Sequence, residues 1–376
     1  MTSTSINRDR SLDGLRGIAA FSVVIFHFLS AYCPALIPRE GFSSCWIADT
    51  PIAILWNGHF AVAIFFVLSG YVLALSCRRK TVSFIQLVAK RVLRLAIPAT
   101  ISLVFAWSLL VVFSPSLAEL RFISDARWLE YTTIDPPSFI PAIVLGAVDV
   151  FRGGHSDLNN VLWTMKIELI GSIMIYLIYC FVPTRFRIRA LVCPLMLAAF
   201  KPAYIAFPLG ALICEARASK FEPKAGTATV EIGFAIGLLL GGLYPGVGER
   251  VFSAAIIDRA GFGAPNGVIS VCAAALVVTA VAFSHHLKRL FSSRIPVWLG
   301  DISFPLYLVH VPIICTIGAA VYVHYLNTFT AAAIVLALSL SIAQVFRLLV
   351  DDPLLRVLRR FGQNPIPSTV TTAFPN

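Results

Sequence analysis

The sequence predicts an all-α fold: a polytopic transmembrane helical bundle of about ten spans with both termini cytosolic. Three observations carry this. The chain is 58% hydrophobic and 13% charged over 376 residues, with a mean hydropathy of +0.84, and a water-soluble chain of this length exposes far more charge. Apolar runs long enough to cross a bilayer recur along nearly its whole length. The basic residues fall between those runs in alternation. No separate soluble domain is expected. Residues 1–362 read as one integral membrane unit, and residues 363–376, rich in Pro, Ser and Thr, as a disordered tail.

The expected spans are 17–33, 58–77, 92–113, 161–182, 188–201, 203–219, 228–244, 267–284, 303–323 and 328–350. The first carries Arg16 and His27 and has no small-residue cleavage site after it, so it reads as a retained span rather than a signal peptide. The fifth and sixth are short and divided only by Lys201-Pro202. The apolar stretch Pro141 to Phe151 is too short to cross and reads as a re-entrant or surface segment. With the N-terminus in the cytosol, 22 of the 30 lysines and arginines lie on the cytosolic side and 7 on the other, with Lys166 inside a span. That asymmetry follows the positive-inside rule and sets both termini inside. It also accounts for the net charge of +11 without nucleic acid as a partner; the partner implied is the lipid bilayer.

The longest connection, Ser114 to Asn160, faces the outside and holds Asp125, Glu130, Asp135, Asp149 and Asp157 with Trp128 and Tyr131. Such a loop either contributes to ligand binding or is a plain bridge. The eight cysteines contain no C-x-x-C pair. Cys33 and Cys45 flank a short loop and are the one pair suited to a disulfide, given an oxidising compartment.

Four polar constellations interrupt the apolar runs. Arg16 and His27 are eleven residues apart, which on a helix is three turns plus about 20°, so both point to one face. At about 1.5 Å per residue they stand roughly 16 Å apart along the axis, placing His27 near the bilayer midplane if Arg16 lies at its boundary. An ionisable group at that depth marks a functional site, the alternative being a histidine that donates one hydrogen bond to a neighbouring helix. Lys90, Arg91 and Arg94 enter the third span as KRVLRLAIP, with the two arginines at i, i+3. Two arginines at a helix mouth bind phosphates in bidentate fashion; they also serve simply as membrane anchors. In LWTMKIEL, Trp163 suits an interface and Glu168 needs a cation, either Lys166 or a basic group on another helix. In GDISFPLYLVHVP, Tyr307 and His310 share a face, with His310 again at midplane depth. Ser69-Gly70 in FFVLSGYVL reads as a small-residue packing site, the alternative being that it exposes a hydroxyl. The histidines lack the spacing of a metal site, so no metal is expected, and there is neither a G-x-S-x-G elbow nor a P-loop.

Taken together these segments resemble the membrane-bound acyltransferase-3 family. LDGLRGIAAFSVVIFH is similar to its first-span signature, FFVLSGYVL to its second-span motif, and KRVLRLAIP to its R-x-x-R motif. LWTMKIEL resembles its tryptophan-to-glutamate motif, ISFPLYLVH its late tyrosine–histidine motif, and RLLVDDPL its closing motif. The six occur in family order from Leu12 to Leu354. The chain departs from the common pattern at Lys166 and at Asp351 and Asp352.

The resemblance implies transfer of an acyl group, most often acetyl, from acyl-CoA to a hydroxylated acceptor, commonly a sugar. The donor is then a substrate, with no tightly bound cofactor. Arg91, Arg94, Lys90 and Arg16 would hold its phosphates. His27 would act as general base, directly or through an acyl-histidine, with Glu168 fixing its tautomer. His310 and Tyr307 would orient the acceptor or stabilise the oxyanion. A proton-coupled transporter or flippase using the midplane histidines is the alternative, and it calls for inverted halves with paired broken helices, which the sequence lacks.

Overall fold

The computed structural model describes residues 9–37, 45–79, 83–195, 202–219, 227–242 and 267–360. Helix α1, Arg10–Tyr32, starts where Asp9 accepts a hydrogen bond from the Ser11 amide at 3.1 Å, satisfying a donor the helix cannot. Helix α2 is Gly58–Arg79. Helix α3, Phe84–Ile123, begins at a Ser83 cap and runs 40 residues through Pro98 and Pro115. It is longer at both ends than the expected span 92–113; past residue 113 it continues through Ser114, Pro115 and Ser116 because Leu117 and Leu120 beyond them are buried against the bundle. At about 1.5 Å per residue it extends roughly 60 Å, twice the depth of a hydrocarbon core. The connection expected from Ser114 therefore starts at Ser124. It holds the short helix α4, Phe139–Val144, whose π-helical continuation Leu145–Asp149 covers the stretch read as too short to cross.

Helix α5, Trp163–Phe181, follows. Of the expected span 188–201, Arg187–Val192 is helical and residues 196–201 lie outside the described ones. Helices α6, Pro202–Ala218, and α7, Thr227–Gly241, are apolar and short. Helix α8, Val268–Phe283, bends by 96° into α9, His285–Phe291, at Ser284, whose hydroxyl caps the new turn. Helix α10, Arg294–Ile313, passes through a π-helical segment, Ile314–Gly318, into Ala319–Tyr325. Helix α11, Thr328–Phe346, passes likewise through Arg347–Asp351 into α12, Asp352–Arg360. Among the described residues six helices are long and apolar enough to cross a membrane, or seven if α8 and α9 form one bent span, and no strand is present. The proposed tail 363–376 lies outside the described residues.

The core forms where small residues let helix backbones touch. A Cβ at Gly17 of α1 would overlap the Gly300 backbone of α10, and one at Gly70 of α2 would overlap the Phe207 carbonyl of α6. These are the two most extensive helix pairings. Cys33 and Cys45, the pair suited to a disulfide, are not bridged, and both thiols are free. The Cys45 amide donates to the Ala35 carbonyl at 2.9 Å.

Candidate functional site

A cavity of about 720 Å³ opens at the end of the bundle where α1 and α3 begin and α2 ends. Its walls carry Arg16, Lys90, Arg91, Arg94, Glu168 and Tyr307, six of the eight side chains the sequence singled out. The remaining two, His27 and His310, lie beyond its inner end.

Arg16 is held by three groups. Its Nη2 donates to Asp13 at 2.9 Å and to the Gly300 carbonyl at 3.3 Å, and its Nε donates to the Ser303 hydroxyl at 3.0 Å. The Gly17–Gly300 approach brings α10 close enough for this. Glu168 pairs with Arg91 across helices and accepts from the Ser69 hydroxyl at 2.8 Å. Of the two partners considered for Glu168, the group on another helix is the one found. Lys166 turns away and donates to the Arg152 carbonyl at 2.7 Å. Ser69 thus does more than pack, while its neighbour Gly70 makes the close helix contact. Glu168 is engaged with Arg91 and Ser69, and His27 is fixed by other groups, so the structure does not bring Glu168 to the histidine. Arg94 sits within Coulomb range of Asp351, Arg91 and Arg16. Asp351 is only 6% exposed, and its Oδ1 has no hydrogen-bond partner.

At the inner end Tyr307 donates to the Val161 carbonyl at 2.7 Å and shares a 3.0 Å hydrogen bond with the Thr164 hydroxyl. Its ring centroid is 6.0 Å from that of His310, so it stands between the cavity and the histidines. His310 is fully buried. Its Nδ1 lies 2.9 Å from the Leu306 carbonyl and its Nε2 lies 2.8 Å from His27 Nδ1. A carbonyl can only accept, so Nδ1 of His310 carries the proton and, in the neutral pair, Nε2 accepts from His27 Nδ1–H. That leaves the lone pair of His27 on Nε2. The connection between α3 and α5 closes over this pair, with Trp128 stacked on His27 at 5.1 Å between centroids and 26° between planes.

Several members of the site escape a reading of single segments. Ser303 had a usable signal, since residues 303, 307 and 310 recur on one helix face. Thr164 likewise stands one turn before Glu168. Trp128 was marked only as part of the long connection, with no period to place its ring, and His59, edge-on to Phe26 at 4.9 Å at a helix start, had no signal.

A family model described as an acyltransferase domain matches residues 9–348. The chain is 27% identical over 397 residues to "O-acetyltransferase PaAT-1" of Phomopsis amygdali, covering 90% of this chain and 79% of that protein. It is 26% identical over 381 residues to "Acyltransferase MdmB" of Streptomyces mycarofaciens, covering 93% of this chain and 92% of that one. No solved structure matches.

Proposed function

The chain belongs to this acyltransferase family, and from that premise we propose that it is an integral membrane O-acyltransferase with acyl-CoA as donor and His27 as general base. The acyl group is acetyl, and the acceptor is a hydroxyl of a carbohydrate or small hydroxylated metabolite. The observation that carries the reading is the hydrogen-bond chain from His27 through His310 to the Leu306 carbonyl, set just beyond an arginine-lined cavity.

The donor is a polyanion with a long flexible arm ending in a thioester. Its phosphates are held at the cavity by Arg94, Lys90, Arg91 and Arg16, which all line it; the last two are also oriented by Glu168 and Asp13. The thioester passes Tyr307, whose proton is committed to Val161, toward His27. Nε2 of His27 takes the proton of the acceptor hydroxyl as the oxygen attacks the thioester carbonyl carbon. The C–S bond then breaks, and the proton returns from His27 to the thiolate. His310 keeps Nδ1 of His27 engaged, so one nitrogen alone does the chemistry. The whole of residues 1–362 forms the catalytic unit. Counting α6, α7 and residues 188–201 as crossings gives ten spans with both termini cytosolic, which the distribution of basic residues supports and which admits the donor from the cytosol.

The test is release of free thiol from acetyl-CoA by the detergent-purified protein with a panel of hydroxylated acceptors. Acceptor-stimulated release is expected. No release, together with no coenzyme A binding, would overturn the reading.

A further inference from the structure

The mechanism above uses two histidines and leaves the connection between α3 and α5 idle, yet that connection is tied down with care at one point. Arg121, near the end of α3, donates to the Leu129 carbonyl from Nη2 at 2.7 Å and from Nε at 3.2 Å, and Nη2 also donates to the Thr132 carbonyl. The first of those carbonyls lies within the turn Arg127–Tyr131 that carries Trp128, one residue after the indole, and the second lies just past the turn's end. Two further bonds hold the same segment. The Thr132 hydroxyl lies 3.5 Å from the Cys315 sulfur in the π-helical segment after α10, and the Thr133 amide donates to the Asp157 carbonyl at 2.7 Å. A loop fixed this way does not drift, so Trp128, 8% exposed, has a set position over His27.

His27 is enclosed by few groups able to answer a change in its charge. His310 bonds its Nδ1 edge and His59 lies within Coulomb range. Neither is an anion, and the charged partner nearest in sequence, Arg16, is three turns away. Among the described residues, the rings stacked on His27 are those of His310 and Trp128, while Phe26 meets it edge-to-face at 5.1 Å. When Nε2 takes a proton, an imidazolium forms against the Trp128 face. The negative face of an indole attracts a cation, most strongly where water is excluded.

We propose that Trp128 is a positioning residue for the acyl transfer, holding the His27 ring in plane and stabilising its protonated form, and that Arg121 acts through it by fixing the loop. This deepens the general-base reading and rests on it. The aromatic face contributes in the transition state and little to the bound donor, so its loss falls on kcat and leaves the donor KM alone.

The experiment compares Trp128→Phe, Trp128→Leu, Arg121→Lys and the double variant Trp128→Leu/Arg121→Lys in the thiol-release assay, at equal amounts of detergent-extracted folded protein. Trp128→Leu is expected to lower kcat about tenfold with the donor KM within twofold, since cation–π contacts on a partly buried ring are of that order. Trp128→Phe keeps a π face and is expected to restore most of the loss. Arg121→Lys, which cannot fork to two carbonyls, is expected to match Trp128→Leu, and the double variant to be no worse than either. A Phe variant as impaired as Leu, or additive losses in the double variant, would overturn the proposal. If Trp128→Leu does not fold, the Phe and Arg121→Lys variants decide it alone. Unchanged kcat in Trp128→Leu, with His27→Ala inactive, sinks this inference and spares the base. Full activity in His27→Ala removes both.

Discussion

Substituting Glu168 by alanine strikes the most enclosed ion pair lining the cavity. The Arg91 and Glu168 side chains are 13% and 12% exposed, so both charges have left most of their water. Arg91 Nε already lacks a partner, and the carboxylate is the group that compensates its charge. Removing one half of such a pair leaves a buried, uncompensated guanidinium, at a cost of about 3–5 kcal/mol. The Ser69 hydroxyl loses its acceptor as well, adding about 1 kcal/mol. Replacing both partners by apolar groups of similar size, Arg91→Met with Glu168→Leu, removes the stranded charge and is expected to recover all but about 1–2 kcal/mol. The assay is equilibrium unfolding of the purified protein in mixed detergent micelles, followed by tryptophan fluorescence, for both single variants and the double. The double variant is expected to be about 2–5 kcal/mol more stable than Glu168→Ala. A Glu168→Ala protein within 1 kcal/mol of wild type, or a double variant that loses as much as the two singles together, would refute the reasoning.

Other consequences follow from the same geometry. Arg94→Gln is expected to raise the donor KM about tenfold or more while leaving the acceptor KM within twofold, because a charge-assisted bond to phosphate is worth about 1.5–3 kcal/mol; initial-rate kinetics in both substrates check it. His310→Ala frees Nδ1 of His27 and is expected to lower kcat at constant donor KM, with His310→Gln recovering part of it by offering an acceptor at the position of Nε2. Gly17→Leu places a side chain into the α10 backbone and is expected to abolish recovery of folded protein from membranes, as judged by size-exclusion profile. At Asp9 burial pushes the carboxyl up, but the Ser11 hydroxyl and Arg217 outweigh it and hold the group below its ordinary 3.8. A carboxyl lowered on folding contributes stability that is present above its unfolded pKa and lost as pH falls through the folded one. Unfolding scans are therefore expected to show stability falling below about pH 4 in wild type, with a shallower fall in Asp9→Asn.

Much of the site was legible because helices turn spacing into placement. Arg16 and His27 were read onto one face of α1, and both meet α10, Arg16 through Ser303 and Gly300 and His27 through His310. Tyr307 and His310 were likewise read onto one face, and their rings are neighbours. That His27 and His310 touch was not legible, since 283 residues separate them and only the packing of α1 on α10 brings them together. The partner of Glu168 was open for the same reason. Local sequence placed a cation at i−2, on the wrong side of the helix, while the pair forms with Arg91 on α3. Span ends were read less well than span centres, because Ser114, Pro115 and Ser116 read as a stop while the burial of Leu117 and Leu120 carries α3 on to Ile123. Trp128 sits in an irregular connection with no period to reveal where its ring points.

The most direct test of the account measures donor binding and acyl transfer on the same preparation of His27→Ala. Binding of radiolabelled acetyl-CoA is expected to match wild type, because the phosphate-holding residues are untouched and His27 does not line the cavity. Transfer to the acceptor is expected to fall by about 100-fold or more, the scale of a lost general base. Wild-type transfer in that variant would contradict the central claim that Nε2 of His27 takes the acceptor proton.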